Sequence, residues 1–373
     1  MNFTINKKKL LVKDFNFRKS FLINSGIKDY SINIYNDSVN SIKKEVVKNK
    51  IAIIDKFIFD KYFSDLNNKK RILVIKSSEK IKTIETSNHI INFFIKENVT
   101  KSDCIYAIGG GIIQDLVGYS CYVYKRGIPW IYVPTTMLGM TDSCVGGKVA
   151  LNYKNKKNLC ALFSAPKSVI ISLNFLDTLK DKHYLSGIGE AFRLHITGGS
   201  TSFELFNKNI NRILYRNKLA IKKMIFRSLM IKKAVVEYDE YENDIRRSMN
   251  FGHSIGHAYE PLLDYKIPHG LAVSLGICLE LIILKKLVSQ KMLDEILISF
   301  KKFFPSKYLK YLRNIKLDDI NSYLISDKKT LGNIIKIAVP IRFGDMHFIS
   351  KKLDQNLIKQ ISLANTSLLS IFK

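Results

Sequence analysis

Three of the seven histidines in this 373-residue chain fall within a short stretch, in Asn250-Phe251-Gly252-His253-Ser254-Ile255-Gly256-His257 and Pro268-His269-Gly270. On a helix, residues four apart share a face, so His253 and His257 would project together into one site. Imidazole is the commonest metal ligand, and we read the cluster as a divalent metal site rather than as three satisfied core histidines. Spacing alone tempts one to make ligands of both His253 and His257, as in the His-Glu-x-x-His zinc motif, and it does not decide which of the three bind. A second chemistry is written in glycine. Ala107-Ile108-Gly109-Gly110-Gly111-Ile112-Ile113-Gln114-Asp115 runs from an apolar strand pattern into three glycines and then a helical pattern. Without side chains, glycines let backbone N–H groups and a helix N-terminus come close to a phosphate. The run is not the Gly-x-Gly-x-x-Gly fingerprint, and by itself a tight structural turn explains it equally well. A second glycine pair, in Thr141-Asp142-Ser143-Cys144-Val145-Gly146-Gly147-Lys148, adds a lysine point charge suited to an oxyanion.

These groups need elements to hold them. Up to about residue 175, short apolar runs that look like buried strands (51–54, 72–75, 104–108, 130–133, 168–172) alternate with segments of helical period such as 85–96. That alternation predicts a parallel α/β domain with helices on both faces of its sheet. After Leu179 the texture changes to long helical patterns, for example 210–238, 252–263 and 271–287, with few strand-like runs. We place a boundary near residue 180, giving an α/β domain over 1–180 and a mostly helical domain over 181–373. A cleft between two directly packed domains is the default place for a site.

Composition narrows the class. At 46% hydrophobic and 25% charged residues the chain is globular, not disordered. Its formal charge of +28 favours anionic partners. The basic residues are scattered as short pairs such as Lys222-Lys223 and Lys285-Lys286, however, and no nucleic-acid motif appears, so a polyanion-binding surface is not expected. Five cysteines without a Cys-x-x-Cys pair read as reduced thiols in a cytoplasmic protein. The apolar run after Lys7, Lys8 and Lys9 is too short for a signal peptide. The most apolar stretch, 271–284, is interrupted by Glu280 and falls short of the roughly 20 residues of a membrane span.

Taken in order, these motifs resemble the 3-dehydroquinate synthase family. The resemblance is carried by Gly109-Gly110-Gly111 with Asp115, Lys125-Arg126-Gly127, Pro134-Thr135-Thr136, Asp142-Ser143 with Val145-Gly146-Gly147-Lys148, and Lys157-Asn158. It continues through Phe175-Leu176 with Thr178-Leu179, Gly187 with Glu190, Arg246 with Asn250-Phe251-Gly252-His253 and His257, His269-Gly270, and Asp327-Lys328-Lys329. It spans about residues 50 to 345 and leaves out the first 45 or so and the C-terminal tail. What it implies is a Rossmann-like NAD domain followed by an α-helical metal domain, usually in a homodimer.

Carried over residue by residue, the resemblance makes Glu190, His253 and His269 the metal ligands, with zinc the usual ion and cobalt an alternative. His257 becomes a catalytic group beside them. Two imidazoles and one carboxylate leave coordination positions open, as a catalytic metal requires. Asp55, Glu79, Lys82, Gly109, Gly110, Gly111, Asp115, Thr135, Thr136, Lys157, Phe175, Thr178 and Leu179 resemble NAD contacts. Asp142 lies where the family holds a reacting hydroxyl near the nicotinamide. Lys148, Asn158, Lys232, Glu242, Arg246, Asn250, Lys328 and Lys329 resemble substrate contacts, and Arg126 the residue that reaches into the partner subunit's site. The implied reaction oxidises one carbinol of a seven-carbon keto-acid phosphate with tightly held NAD, eliminates phosphate and returns the hydride. Ring opening and an intramolecular aldol step then close the carbocycle. The implied partner is thus a phosphorylated sugar acid, with no nucleic acid and no membrane.

Three positions depart from the family pattern. Arg193 stands where the family has lysine, Leu271 where it usually has glutamate, and His183 where it is normally acidic. Guanidinium is larger than an ammonium, planar and unable to act as a base, so Arg193 is not a neutral replacement. We expect its charge to meet a substrate oxygen or a carboxylate such as Asp142. Cyclases of the aminodehydroquinate, 2-epi-5-epi-valiolone and 2-deoxy-scyllo-inosose types differ at such positions and form the alternative reading, with a polyol dehydrogenase further off. Lys232 and Arg246, associated with carboxylate recognition, favour a carboxylate-bearing substrate.

Overall fold

The computed structural model describes residues 2–12, 16–48, 50–67, 71–154, 156–313, 315, 320, 330–331 and 334–372. Two compact units emerge. One is Phe17–Lys180; the other joins Met1–Asn16 to Asp181–Lys373. The chain opens with β1 (Asn2–Ile5) and β2 (Lys8–Leu11), an antiparallel pair. Sequence reasoning grouped these residues with the α/β domain. Instead β1 pairs in parallel with a strand near the other end of the chain, burying Phe3 and Ile5, so they belong to the second unit.

The α/β unit starts with β3 (Ser20–Ile23), β4 (Tyr30–Tyr35) and α1 (Val39–Val47), then β5 (Ile51–Asp55), the one-turn α2 (Lys56–Ile58) and β6 (Ile72–Ile75). It continues with α3 (Ile84–Lys96), β7 (Ile105–Gly109), α4 (Gly111–Val123) and β8 (Trp130–Pro134). The hairpin β9 (Lys148–Tyr153) and β10 (Lys156–Phe163) precedes β11 (Ser168–Ser172). Seven strands form one sheet in the order β3-β4-β11-β8-β7-β5-β6, parallel throughout except for edge strand β3. The four apolar residues 51–54 of β5 are fully buried, as expected for a strand covered on both faces. All five apolar runs read as strands from the sequence are strands here.

The second unit is mainly helical: α5 (Asp181–Thr197), α6 (Ser200–Leu214), α7 (Lys218–Val236), α8 (His253–Leu262), α9 (His269–Ile283) and α10 (Gln290–Phe303). The long pattern over 210–238 is broken. Arg216 adopts φ +57° and Asn217 caps α7 by accepting a bond from the Ala220 N–H at 3.0 Å, so two helices stand where periodicity suggested one. A five-stranded sheet accompanies the helices, β12 (Thr330–Leu331), β13 (Ile334–Arg342), β14 (Asp345–Lys352), β1 and β2 in that order. Helix Gln355–Ile371 ends the described chain. Among the described residues no helix is long and apolar enough to cross a membrane.

Within the second unit, α5 buries His195 completely. Its Nδ1 lies 2.8 Å from the Ser202 hydroxyl and its ring packs against Phe206. Burial opposes the charged imidazolium and pushes the pKa down to about 4 from the usual 6.5. The folded state therefore resists a proton that the unfolded chain accepts. The sign follows: this contribution is whole above pH 6.5 and is lost as pH falls from 6.5 towards 4, by roughly 3 kcal/mol at most. Urea titrations at pH 7 and pH 4.5 should show a His195→Phe protein losing less stability on acidification than its parent. Equal losses would assign the acid sensitivity elsewhere.

Candidate active site

The chemistry-bearing residues gather at two places, one in each unit. In the second unit α9 lies against both α5 and α8, and glycines bring the backbones together. A Cβ on Gly189 of α5 would overlap the Gly270 carbonyl oxygen, and one on Gly270 would overlap the Ser186 carbonyl oxygen. A Cβ on Gly276 would overlap the Gly252 carbonyl oxygen, and one on Gly252 would fall 2.5 Å from the Val273 carbonyl oxygen. Gly252 also adopts φ +78°, which side chains disfavour. Three helices thus meet at backbone contact, and each contributes to one cluster.

Glu190 comes from α5, His253 and His257 from the first turns of α8, and His269 from the start of α9. Glu190 Oε1 lies 3.7 Å from His253 Nε2 and 3.3 Å from His269 Nε2. The imidazole centroids of His253, His257 and His269 are 5.0 to 5.6 Å apart, and one nitrogen from each lies within 4.8 Å of the others. His253 Nδ1 is 3.2 Å from the Phe251 carbonyl, which leaves Nε2 towards Glu190. Helical spacing pointed to the three histidines; Glu190 was named by the resemblance alone.

Arg193, one turn along α5, is 2% exposed and donates from Nε to Glu190 Oε2 at 2.9 Å. The carboxylate it meets within its own unit is therefore the one expected to hold metal. Burial opposes charge on Glu190, but Arg193 and His269 outweigh it and hold the carboxyl below its usual range. His269 sits between Glu190 and Glu260, whose Oε1 is 3.2 Å from His269 Nδ1. Burial opposes its protonation too, yet the two carboxylates raise its pKa well above the ordinary imidazole value. Such surroundings stabilise positive charge. Sequence reasoning missed Glu260, although its place one turn beyond His257 on the same helix was a signal.

Close by in sequence, Glu242 accepts a bond from Asn250 Nδ2 at 2.8 Å, and Arg246 donates to the Glu240 carbonyl. Lys232 and Arg246 are buried. Leu271 is buried in α9, whereas His183 is exposed near the start of α5. Lys328 and Lys329 lie outside the described residues.

In the α/β unit, the carboxyl ends of adjacent strands collect the other set. β5 ends at Asp55, β7 at Gly109 and β8 at Pro134, with Gly109 level with Pro134 and the Thr135 N–H bonded to the Gly109 carbonyl. Such an edge is where open parallel sheets bind ligands. Gly110 precedes the N-terminus of α4, and a Cβ on Gly111 would meet nothing within 4 Å. The glycine there leaves open space beside the helix N-terminus. Asp55 caps α2 through the Ile58 N–H, and the Thr136 hydroxyl accepts from the Gly139 N–H. Lys82 is buried with Nζ 2.9 Å from Asp115 and 2.5 Å from Asn158, and Glu79 holds Asn152. Burial lifts the Asp115 pKa to about 6 against the pull of Lys82. Phe175 is fully buried against Tyr62, whose hydroxyl reaches Thr178. Lys148, Lys157 and Arg126 are exposed, Asp142 and Leu179 half-buried.

Two family models, 3-dehydroquinate synthase N-terminal and 3-dehydroquinate synthase C-terminal, match residues 72–186 and 187–330. The chain belongs to the 3-dehydroquinate synthase family. Relatives named 3-dehydroquinate synthase include one from Dictyoglomus thermophilum, 32% identical over 90% of this chain and 95% of its own. Another, from Pelagibacter ubique, is 32% identical over 91% of this chain and 98% of its own. Among solved structures, a 2-epi-5-epi-valiolone synthase from Streptomyces hygroscopicus subsp. jinggangensis 5008 with NAD+ and Zn2+ bound has a TM-score of 0.80. It is 20% identical and covers 91% of this chain and 97% of that one. A 2-deoxy-scyllo-inosose synthase complexed with carbaglucose-6-phosphate, NAD+ and Co2+ has a TM-score of 0.79 at 20% identity, covering 93% and 99%. At that identity the likeness is one of fold, shared by this member of the 3-dehydroquinate synthase family.

The glycine contacts make a sharp mechanical demand. Gly276→Ala must separate α9 from Gly252 and should cost about 3 kcal/mol, the upper range for overpacking. Metal affinity should fall with it. A thermal midpoint within 1–2 °C of the parent would show that the helices yield freely there.

Proposed function

We propose that this protein is a carbocycle-forming, phosphate-eliminating lyase, a 3-dehydroquinate synthase that converts 3-deoxy-D-arabino-heptulosonate 7-phosphate to 3-dehydroquinate and phosphate. The observation that carries the reading is the convergence of His253, His257 and His269 on the buried Glu190 in a chain of this family. Glu190, His253 and His269 are the proposed ligands of one divalent ion, zinc or in its place cobalt. In support, Glu190 Oε2 is committed to Arg193 while Oε1 faces both imidazole Nε2 atoms, an oxygen-and-nitrogen donor set suited to zinc. NAD is proposed at the carboxyl edge of the parallel sheet, with Asp55, Gly109, Gly110, Gly111, Asp115, Thr135 and Thr136 as principal contacts. The open space at Gly111 supports that placement.

When bound, NAD supplies a hydride acceptor that is restored within each turnover, and the ion supplies polarisation of the carbinol oxygen. The chain's own residues do the rest. Lys148, Lys232 and Arg246, joined by Lys328 and Lys329, grip a substrate that bears both a phosphate and a carboxylate. Asn250 and Glu242 orient one another and offer the substrate hydroxyls a paired donor and acceptor. Asn158, fixed on Lys82, adds a further polar contact. His257 stands among the ligands without being one and holds a proton on its imidazole for transfer at the reacting carbons. Asp142 orients the hydroxyl to be oxidised. The active form is a homodimer to which Arg126, exposed in a turn where it adopts φ +62°, contributes across the interface.

Arg193 motivates a second reading, a related cyclase acting on another sugar phosphate, because its guanidinium replaces the family lysine beside Glu190. One assay separates the two. Pure protein with NAD, a divalent ion and a panel of sugar phosphates should release phosphate from 3-deoxy-D-arabino-heptulosonate 7-phosphate without accumulating NADH. Release from a different substrate favours the second reading, and stoichiometric NADH would indicate an ordinary dehydrogenase. His269→Ala should lose both metal and turnover, since two protein ligands hold a divalent ion poorly. His257→Ala should keep the metal and lose at least about a hundredfold in kcat. Full metal occupancy in active His269→Ala protein would remove His269 from the ligand set.

A further inference from the structure

A fully buried carboxylate on α9 has no part in the ligand set, yet it is bonded to the helix that carries two of the histidines. Glu280 is 0% exposed. One of its oxygens accepts from the Gly252 N–H at 2.8 Å, the other from the Ile255 N–H at 3.2 Å. These two amides flank His253, the first residue of α8. Helix N-termini are ordinarily capped by a serine, threonine, aspartate or asparagine side chain at the position that Gly252 fills. That position has to be glycine, because its φ is +78° and a Cβ would fall 2.5 Å from both the Val273 carbonyl oxygen and Ile277 Cγ1. The close approach of α9 thus removes the cap from α8, and Glu280, borne by the same α9, restores it from outside.

We infer that Glu280 is a positioning residue for the metal site, a cap in trans that fixes the backbone on either side of His253. The helix N-terminus and its amides favour the carboxylate charge. In return the carboxylate sets where His253 Nε2 points, and through the following turn where His257 lies. This rests on the proposed ligand set of Glu190, His253 and His269.

The test uses the full chain. Glu280→Gln preserves volume and one oxygen but turns an NH2 group on an N–H donor. Zinc affinity, measured by competition with a chelator, should fall about 10–100-fold, the usual effect of losing a group that orients a ligand. The visible bands of the cobalt-loaded protein should shift, and amide exchange at Gly252 and Ile255 should accelerate in the metal-free protein. NAD affinity should stay unchanged. Glu280→Asp, one methylene shorter, should lose affinity to a smaller degree and is read by the same criteria if Glu280→Gln does not fold. Phe300→Leu, in the aromatic packing of α10 with Phe303, Phe304 and Phe372, supplies a control of lowered stability with unshifted cobalt bands. Zinc affinity within about twofold of the parent, with unshifted cobalt bands, overturns the inference. A parent protein that binds no divalent ion overturns the ligand set instead.

Discussion

The approach of α9 to α5 and α8 at backbone distance is the constraint on which the candidate metal site depends. Side chains that converge from three helices need those helices fixed to a fraction of an ångström, and backbone contact fixes them without rotamer freedom. Gly189 against Gly270, and Gly252 against Gly276, make that contact by giving up their side chains. At the starts of α8 and α9 the first N–H groups have no partner within their own helix, and a neighbouring side chain takes them. The Ser186 hydroxyl takes the Gly270 N–H at 2.9 Å, and Glu280 takes those of Gly252 and Ile255. The helix crossing and the polar groups buried along it are therefore one arrangement, since neither is stable alone.

Gathering so many charges around the buried Glu190 and Arg193 demands balance. Glu190, Arg193, His269 and Glu260 form a continuous run of ionic contacts in which each charge has a partner of the opposite sign within 3.3 Å. Removing a single member would strand another, and a stranded buried charge is costly. The balance tilts towards carboxylate, which favours positive charge at His269.

Much of this was legible in the chain. Strands of the parallel sheet announce themselves as short apolar runs because both faces are covered, and the glycine run stands out because it follows one of them. His253, His257 and His269 are legible through helical spacing. Glu190 is not, because a lone glutamate has no spacing signal, and only the resemblance singled it out. The pairing of β1 with β14 joins residues such as Thr4 and Asp345. No local pattern records a contact between the two ends of a sequence, so the N-terminal hairpin was assigned to the wrong unit. The break at Arg216 and Asn217 was hidden by apolar periodicity that runs through it, since capping depends on one residue and periodicity on many. Glu280 looked like a charge interrupting an apolar stretch; its role exists only once Gly252 is beside it.

Arg193 shows how a departure from a family pattern acquires meaning from its contacts. Guanidinium usually engages a carboxylate with two parallel N–H groups, which would occupy both oxygens. Here Nε donates to Glu190 Oε2, and Nη1 donates to Met249 Sδ at 3.5 Å. One carboxylate oxygen is held and the other left facing His253 and His269. A lysine ammonium, with three freely rotating donors on a flexible stem, imposes no such division between the two oxygens. The arginine thereby does within the protein what its planarity suits it for, which is to orient a carboxylate. The replacement at this position bears on the geometry of Glu190.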